Sequence, residues 1–208
     1  MEFSSLLWRL KDPVILASTS GTRKSVLRSV GIPFEAVAPD VDERQIESVL
    51  QEQMIQPAEI ALNLARAKAS EVSKRFSGRW IIAADQTLAC EGRQFHKPTS
   101  REEATEQLFK LSGKSHYLHS AVACVIDSRI EFEHVETACL SMRQLSSPFV
   151  NRYLDVCGEA VTRSVGGYQI EGFGAHLFDK VEGDHTTILG LPILPVLRFF
   201  RYAHLVEE

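Results

Sequence analysis

Short, continuously apolar runs alternate along the chain with longer segments whose apolar residues recur at helical spacing. This is the pattern of strands buried on both faces and covered by helices. Pro13-Val14-Ile15-Leu16-Ala17 is the first such run, and the small polar residues after it lead into Val26, Leu27 and Val30 before Gly31, which predicts strand, tight turn and helix. Phe34 to Pro39 predicts a second strand, and Ala58 to Val72, with Ile60, Leu62, Leu64, Ala65, Ala67 and Ala69, a long amphipathic helix. Trp80-Ile81-Ile82-Ala83-Ala84 predicts a buried strand that ends on Asp85 and presents its carboxylate at the strand tip.

Further on, Ser100 and Glu103 form a capping box, so a helix is expected from about Arg101 to Gly113. Tyr117 to Ile126 and Ile130 to Leu140 are β-rich runs separated by Asp127-Ser128-Arg129, an antiparallel hairpin that makes the sheet mixed. Ser146-Ser147-Pro148 starts a short helix through Leu154, Gly158 to Gly174 is expected as loop, and Leu191 to Leu205 as a closing helix. The fold class is therefore α/β, with a mixed twisted sheet flanked by helices. At 208 residues, one domain of two lobes over residues 1–208 is expected, with residues 1–12 as an N-terminal extension.

Composition narrows the function. With 44% hydrophobic and 24% charged residues the chain is an ordinary globule, and 23 basic against 27 acidic residues leave no cation excess for a nucleic-acid backbone. No nucleic-acid partner is expected. The longest nearly apolar stretch, Ile188 to Leu197, is about half the length a membrane helix needs and holds two prolines, so no membrane partner is expected either. The opening MEFSSLLWRLKDP does not read as a secretory leader, and the four cysteines, Cys90, Cys124, Cys139 and Cys157, form no C-x-x-C pair. Reduced thiols in the cytoplasm are the expectation.

Three clusters could carry chemistry. Ser18-Thr19-Ser20-Gly21-Thr22-Arg23-Lys24 sits between a strand and a helix start, where backbone N–H groups and the Arg23 fork can hold a phosphate; plain capping by Ser20 explains the same residues. Asp40, Asp42 and Glu43 fall in a turn after a strand, and Asp85-Gln86 closes another. Carboxylates gathered from separate loops are the hard ligands that Mg²⁺ or Mn²⁺ prefers when it also holds phosphate, although acids in turns are ordinarily only solvated. Lys68, on an alanine-rich helix, and Lys97, before Pro98, are candidate phosphate clamps that singly read as surface lysines. Ser112-Gly113-Lys114-Ser115 is not a Walker A tail, because Leu108 stands where the upstream glycine belongs, and the seven histidines show no metal-ligand spacing.

Taken together, Ile15-Leu16-Ala17-Ser18-Thr19-Ser20 with Arg23, Val41-Asp42-Glu43, Ala67-Lys68-Ala69, Ala84-Asp85-Gln86, Lys97-Pro98 and Gly190-Leu191-Pro192 resemble the Maf family of nucleoside triphosphate pyrophosphatases, in order and spacing from about Val14 to Leu197. The resemblance implies a Maf/ITPase-like α/β fold, the mixed twisted sheet and its helices shaped around a central cleft, and divalent-metal-dependent (Mg²⁺ or Mn²⁺) cleavage between the α- and β-phosphates of a nucleoside triphosphate. It implies Asp85 as the proton acceptor for water, Glu43 and Asp85 as metal ligands, and Arg23, Lys68 and Lys97 as triphosphate clamps. Ser18, Ser20, Thr22, Gln86 and Glu171 are the implied substrate contacts. Gln86 and Glu171-Gly172-Phe173-Gly174 look like the subgroup acting on 7-methyl-GTP, and an ionised Glu171 can accept from the N–H edge of a guanine-like base. Thr22 departs from that subgroup's usual tryptophan, and Gly21 from the motif's usual proline. The family's link to septum formation leaves an alternative, a nucleotide-binding regulator of cell division with little or no catalysis, and its members often pair as homodimers.

Overall fold

The structure is a computed structural model that describes residues 7–207. It is an α/β fold whose mixed sheet has seven strands in the order β2-β1-β3-β5-β6-β7, with β4 beside β3. The strands are β1 (Val14–Ala17), β2 (Phe34–Val37), β3 (Ile81–Cys90), β4 (Arg93–Phe95), β5 (Ser115–Ile126), β6 (Arg129–Met142) and β7 (Phe178–Glu182). β1 pairs in parallel with β2 and β3, while β3 with β4 and β6 with β7 are antiparallel. The helices are α1 (Gly21–Ser29), α2 (Glu43–Glu52), α3 (Pro57–Ser73), α4 (Arg101–Leu111), α5 (Ser147–Cys157), α6 (His185–Ile188) and α7 (Ile193–Tyr202).

The chain divides into two compact units. The first comprises the described residues through Gln86, Ser120–Glu136 and His185 onward; the second comprises Thr87–His119 and Thr137–Asp184. In the first unit the period-two rule sorts the apolar runs into two cores. Val14 and Leu16 of β1, Ile82 and Ala84 of β3, and Val122 and Cys124 of β5 pack with Val26 and Leu27 of α1 and Val196 and Phe200 of α7. Their neighbours Ile15, Ala17, Ile81, Ala83, Ala121 and Ala123 pack against Ala61, Ala65, Ala69 and Val72 of α3. Alanine on both sides of that second interface lets the helix lie close to the sheet. Trp8, in the segment read as an extension, bridges to Val206 and meets Phe200 edge-on; residues 1–6 lie outside the described residues.

Local chemistry sets the element ends. The Ser20 hydroxyl accepts from Arg23 N (3.3 Å) at the start of α1, and Gly31, at φ +70°, makes the left-handed exit that only glycine adopts without strain. Ser100 caps α4 as expected, but the Glu103 carboxylate reaches back to Thr99, accepting from its N (2.7 Å) and hydroxyl (2.8 Å). Asp127 and Ser128, both with positive φ, make the two-residue turn between β5 and β6.

Four expectations are corrected. The strand expected to stop at Asp85 continues to Cys90, because Leu88, Ala89 and Cys90 find antiparallel partners in β4; Asp85 is a mid-strand residue. The turn expected around Glu43 is the start of α2, whose Ile46, Val49 and Leu50 recur at helical spacing although none of its residues is fully buried. The Gly158 to Gly174 loop holds short 3₁₀ turns, and the closing helix is shorter than expected, Ile193–Tyr202. β7 went unpredicted because its residues are nearly all exposed and lack alternation. Among the described residues the cysteines are free thiols, and no helix is long and apolar enough to cross a membrane.

In the second unit α4 packs on α5 and the 3₁₀ turns, and His116 is fully buried against Tyr168 and Phe178. His116 Nε2 shares a 2.6 Å hydrogen bond with the Tyr168 hydroxyl, while Nδ1 has no partner. A protonated ring would therefore bury an unpaired N–H, and burial lowers the His116 pKa from 6.5 to about 4. Unfolding lets the ring bind a proton below pH 6.5, so its contribution to stability is full above that pH and is lost as the pH falls toward 4. Urea unfolding as a function of pH should show this: wild type should lose about 3 kcal/mol relative to a His116→Gln variant between pH 7 and pH 4.

Candidate active site

Two periodicities meet at the centre of the candidate site. On α3, Ala61, Ala65, Lys68 and Val72 fall on one stripe by the i, i+4, i+7, i+11 rule, so Lys68 faces the sheet with the alanines. On β3, Ile81, Ala83 and Asp85 share the side that faces α3. The result is a direct bond between the Lys68 ammonium and Asp85 Oδ2, with Lys68 only 5% and Asp85 7% exposed. Glu43, the first residue of α2, brings Oε2 to 2.9 Å from the same Nζ. Its helix is capped by Asp42, whose Oδ1 accepts from Gln45 N at 3.0 Å. Asp85 Oδ1 in turn accepts from Gln86 N at 2.7 Å. Lys68 is thus no surface lysine, and one buried cation is shared by two carboxylates from separate elements.

Arg23 stands on the first turn of α1 and is half-buried. Its Nε donates to Gly190 O at 2.8 Å. Burial pulls its pKa down, while the nearby Asp85 and then Glu43 charges pull it back up. Gly190 adopts φ +85°, and a Cβ there would touch the Arg23 guanidinium and the Gln86 side chain. The turn that carries Gly190 is pinned from β3 and β5. Gln86 Nε2 donates to Ser120 Oγ (2.8 Å), Thr187 O (3.1 Å) and Ile188 O (3.1 Å), and Ser120 Oγ donates to Thr187 O (2.6 Å). The Thr187 hydroxyl donates to Glu136 at 3.0 Å.

Arg23, Glu43, Lys68 and Asp85 therefore gather in the first unit, as does Gln86. Ser18 is buried, its hydroxyl accepting from Ser20 N (3.1 Å); Ser20 caps α1; Thr22 is half-buried on that helix's first turn. Lys97 and Glu171 belong to the second unit and are exposed. The segment before Lys97 is held by Gln107 Nε2, which donates to His96 O at 3.1 Å. Of the acids expected in one turn, Asp42 is spent on its cap and Glu43 is the one that reaches Lys68, while the Asp40 backbone N–H donates to Glu71. Ser120 and Thr187 were missed. The signal for Ser120 lay in strand parity, since it shares a face with Val122 and Cys124 as Gln86 does with Ile82 and Ala84.

Chemically, the arrangement offers a buried carboxylate that can take a proton, an ammonium that stays paired through Glu43 if it does, and an arginine whose two terminal nitrogens are not used by Gly190. Among the described residues no group of three or more His, Cys, Asp or Glu could hold a metal ion by itself. Two carboxylates converging on one cationic atom nevertheless fit a hard dication that takes its remaining ligands from water and phosphate.

Residues 13–203 match the family described as Maf-like protein. A protein from Bradyrhizobium diazoefficiens named nucleoside triphosphate pyrophosphatase is 50% identical over 200 residues, 96% of this chain and 98% of its own length. One of the same name from Nitrobacter winogradskyi is 48% identical over 195 residues, 94% of this chain and 96% of its own. One from Mesorhizobium japonicum named 7-methyl-GTP pyrophosphatase is 45% identical over 192 residues, 92% of this chain and 96% of its own. With the motif residues on α1, α2, α3 and β3 falling around one buried cation and the match running from strand β1 to the end of α7, the chain belongs to the Maf-like protein family.

Proposed function

We propose that this protein is a nucleoside triphosphate pyrophosphatase, hydrolysing the link between the α- and β-phosphates to a nucleoside monophosphate and pyrophosphate. The observation that carries the reading is the buried Lys68 ammonium held between Asp85 and Glu43 in the field of Arg23. The names of its relatives support the same bond. Hydrolysis of a phosphoric anhydride asks a protein for positioning and charge neutralisation more than for covalent help. Asp85 accepts the proton of the attacking water. Lys68 keeps Asp85 oriented and, because Glu43 also binds it, remains neutralised when Asp85 is protonated. Arg23 turns its free terminal nitrogens to phosphate oxygens, a bidentate geometry that suits them.

Glu43 and Asp85 are the residues that would hold Mg²⁺ or Mn²⁺, which when bound would neutralise phosphate charge and lower the pKa of a coordinated water. Lys97 as a further clamp rests on the motif resemblance. A guanine-like base, methylated or not, rests on the same resemblance through Gln86 and Glu171; Glu171 would accept from the ring N–H and the exocyclic amino group. Thr22 offers no aromatic face to a cationic methylated base, which weakens the pull toward that particular nucleotide. The cytoplasm suits the activity, being where nucleoside triphosphates and free thiols coexist.

Incubation with a panel of canonical and methylated nucleoside triphosphates, with Mg²⁺, Mn²⁺ or chelator, should release pyrophosphate and only with metal; orthophosphate plus a diphosphate would sink the assignment of the bond. Asp85→Asn should fold, judged by its melting curve, and lower kcat by about 10²- to 10⁴-fold. Nucleotide binding by wild type without turnover would favour the regulatory reading instead. Glu171→Gln should shift kcat/KM away from guanine-like bases by about tenfold, and an unchanged ratio would remove Glu171 from base recognition.

A further inference from the structure

Gln86 was expected to touch substrate, yet its carboxamide nitrogen is already committed. It donates to Ser120 Oγ, Thr187 O and Ile188 O, more acceptors than the two hydrogens of an NH₂ group can serve without sharing. Thr187 O collects donors from Gln86, from the Ser120 hydroxyl and from Gly190 N (3.0 Å). Those bonds fix the four-residue turn from Thr187 to Gly190, and Gly190 O is the group that Arg23 Nε grips. Ser120 itself is 0% exposed, so it has no route to a substrate.

We infer that Gln86 and Ser120 are a positioning pair: they brace the Thr187–Gly190 turn, and the turn, through Gly190 O, sets the direction of the Arg23 guanidinium. The inference rests on the proposed reading for its kinetic consequence but not for its geometry. Turning the guanidinium edge by one hydrogen bond displaces a bidentate phosphate contact by a distance on the ångström scale, enough to slow a reaction that depends on alignment. A contact to the base, by contrast, would alter which nucleotide is preferred and would act independently of Arg23.

The test uses the full chain with Ser120→Ala and Gln86→Met, the second removing the donors at nearly constant size and serving if the first is poorly folded. NMR of the Arg23 side chain reads the geometry directly: the Hε signal should be protected from solvent exchange in wild type and exchange at least tenfold faster in both variants. In turnover assays each variant should lose about tenfold in kcat/KM on every nucleotide cleaved, with the ranking of bases unchanged, and should lose nothing further when combined with Arg23→Gln. Unaltered Hε protection overturns the inference, as do losses that multiply with Arg23→Gln or that reorder the bases. If wild type cleaves no nucleoside triphosphate, the proposed function fails, and the Hε measurement alone still decides whether the pair orients Arg23.

Discussion

The Lys68 ammonium is the group around which the first unit must be arranged. Its side chain is 6% exposed on a helix face otherwise made of alanine and valine, and a cation there costs several kcal/mol unless anions come to it. Asp85 comes because strand parity turns it to α3. Glu43 comes from α2, a helix that buries none of its own residues. The bond from Glu43 to Lys68 is therefore one of the polar ties of α2 to the body of the unit. Ion pairs of this kind add little net stability compared with apolar packing. What they supply is geometry, since neither carboxylate can leave without exposing the cost of the charge it compensates.

Adjacent residues of β3 point to opposite faces, and their roles differ accordingly. Asp85 looks toward α3 and meets charge. Gln86 looks toward α1 and α7, on the side where Ser120 stands on β5, and meets backbone carbonyls. A dipeptide that reads as one motif in sequence is thus two devices in space. The first holds groups suited to proton transfer, and the second holds a turn that meets Arg23 through one carbonyl oxygen. Gly190 suits that place because its left-handed φ strains any residue with a side chain, although a Cβ beside Arg23 would make only ordinary contact.

What could be read in the chain follows the same division. The two cores were legible because β1, β3 and α3 carry their period in strongly apolar residues, and the Lys68–Asp85 pairing was implicit in the spacing of Ala61, Ala65 and Lys68. β7 was not, because an exposed strand needs no apolar alternation, and α2 was overlooked although Ile46, Val49 and Leu50 carry a helical period. The end of β3 was misplaced because Asp85-Gln86-Thr87 looks like a polar stop, whereas pairing with β4 sustains the strand beyond it. Gln86 was read as a substrate contact from the motif it shares; the partners of its carboxamide nitrogen lie 34 to 102 residues away in the chain, and no local pattern announces a bond of that range. The unpartnered Nδ1 of His116 was likewise invisible before packing placed Tyr168 and Phe178 around the ring.

Charge balance bears on the metal. In the first unit the cations Arg23 and Lys68 are matched by Glu43 and Asp85, so the local sum is zero. A triphosphate brings roughly three to four negative charges, and the same two carboxylates that keep Lys68 buried would repel it. Arg23 alone cannot reverse that balance, because its Nε is bound to Gly190 O and Asp85 and Glu43 already act on its charge. A dication addressed by Glu43 and Asp85 would turn the repelling pair into an attracting one without moving either carboxylate's chain position. The pairing that makes Lys68 tolerable in the core is thus what the proposed divalent metal would complement, adding positive charge beside two carboxylates that otherwise oppose a polyanion.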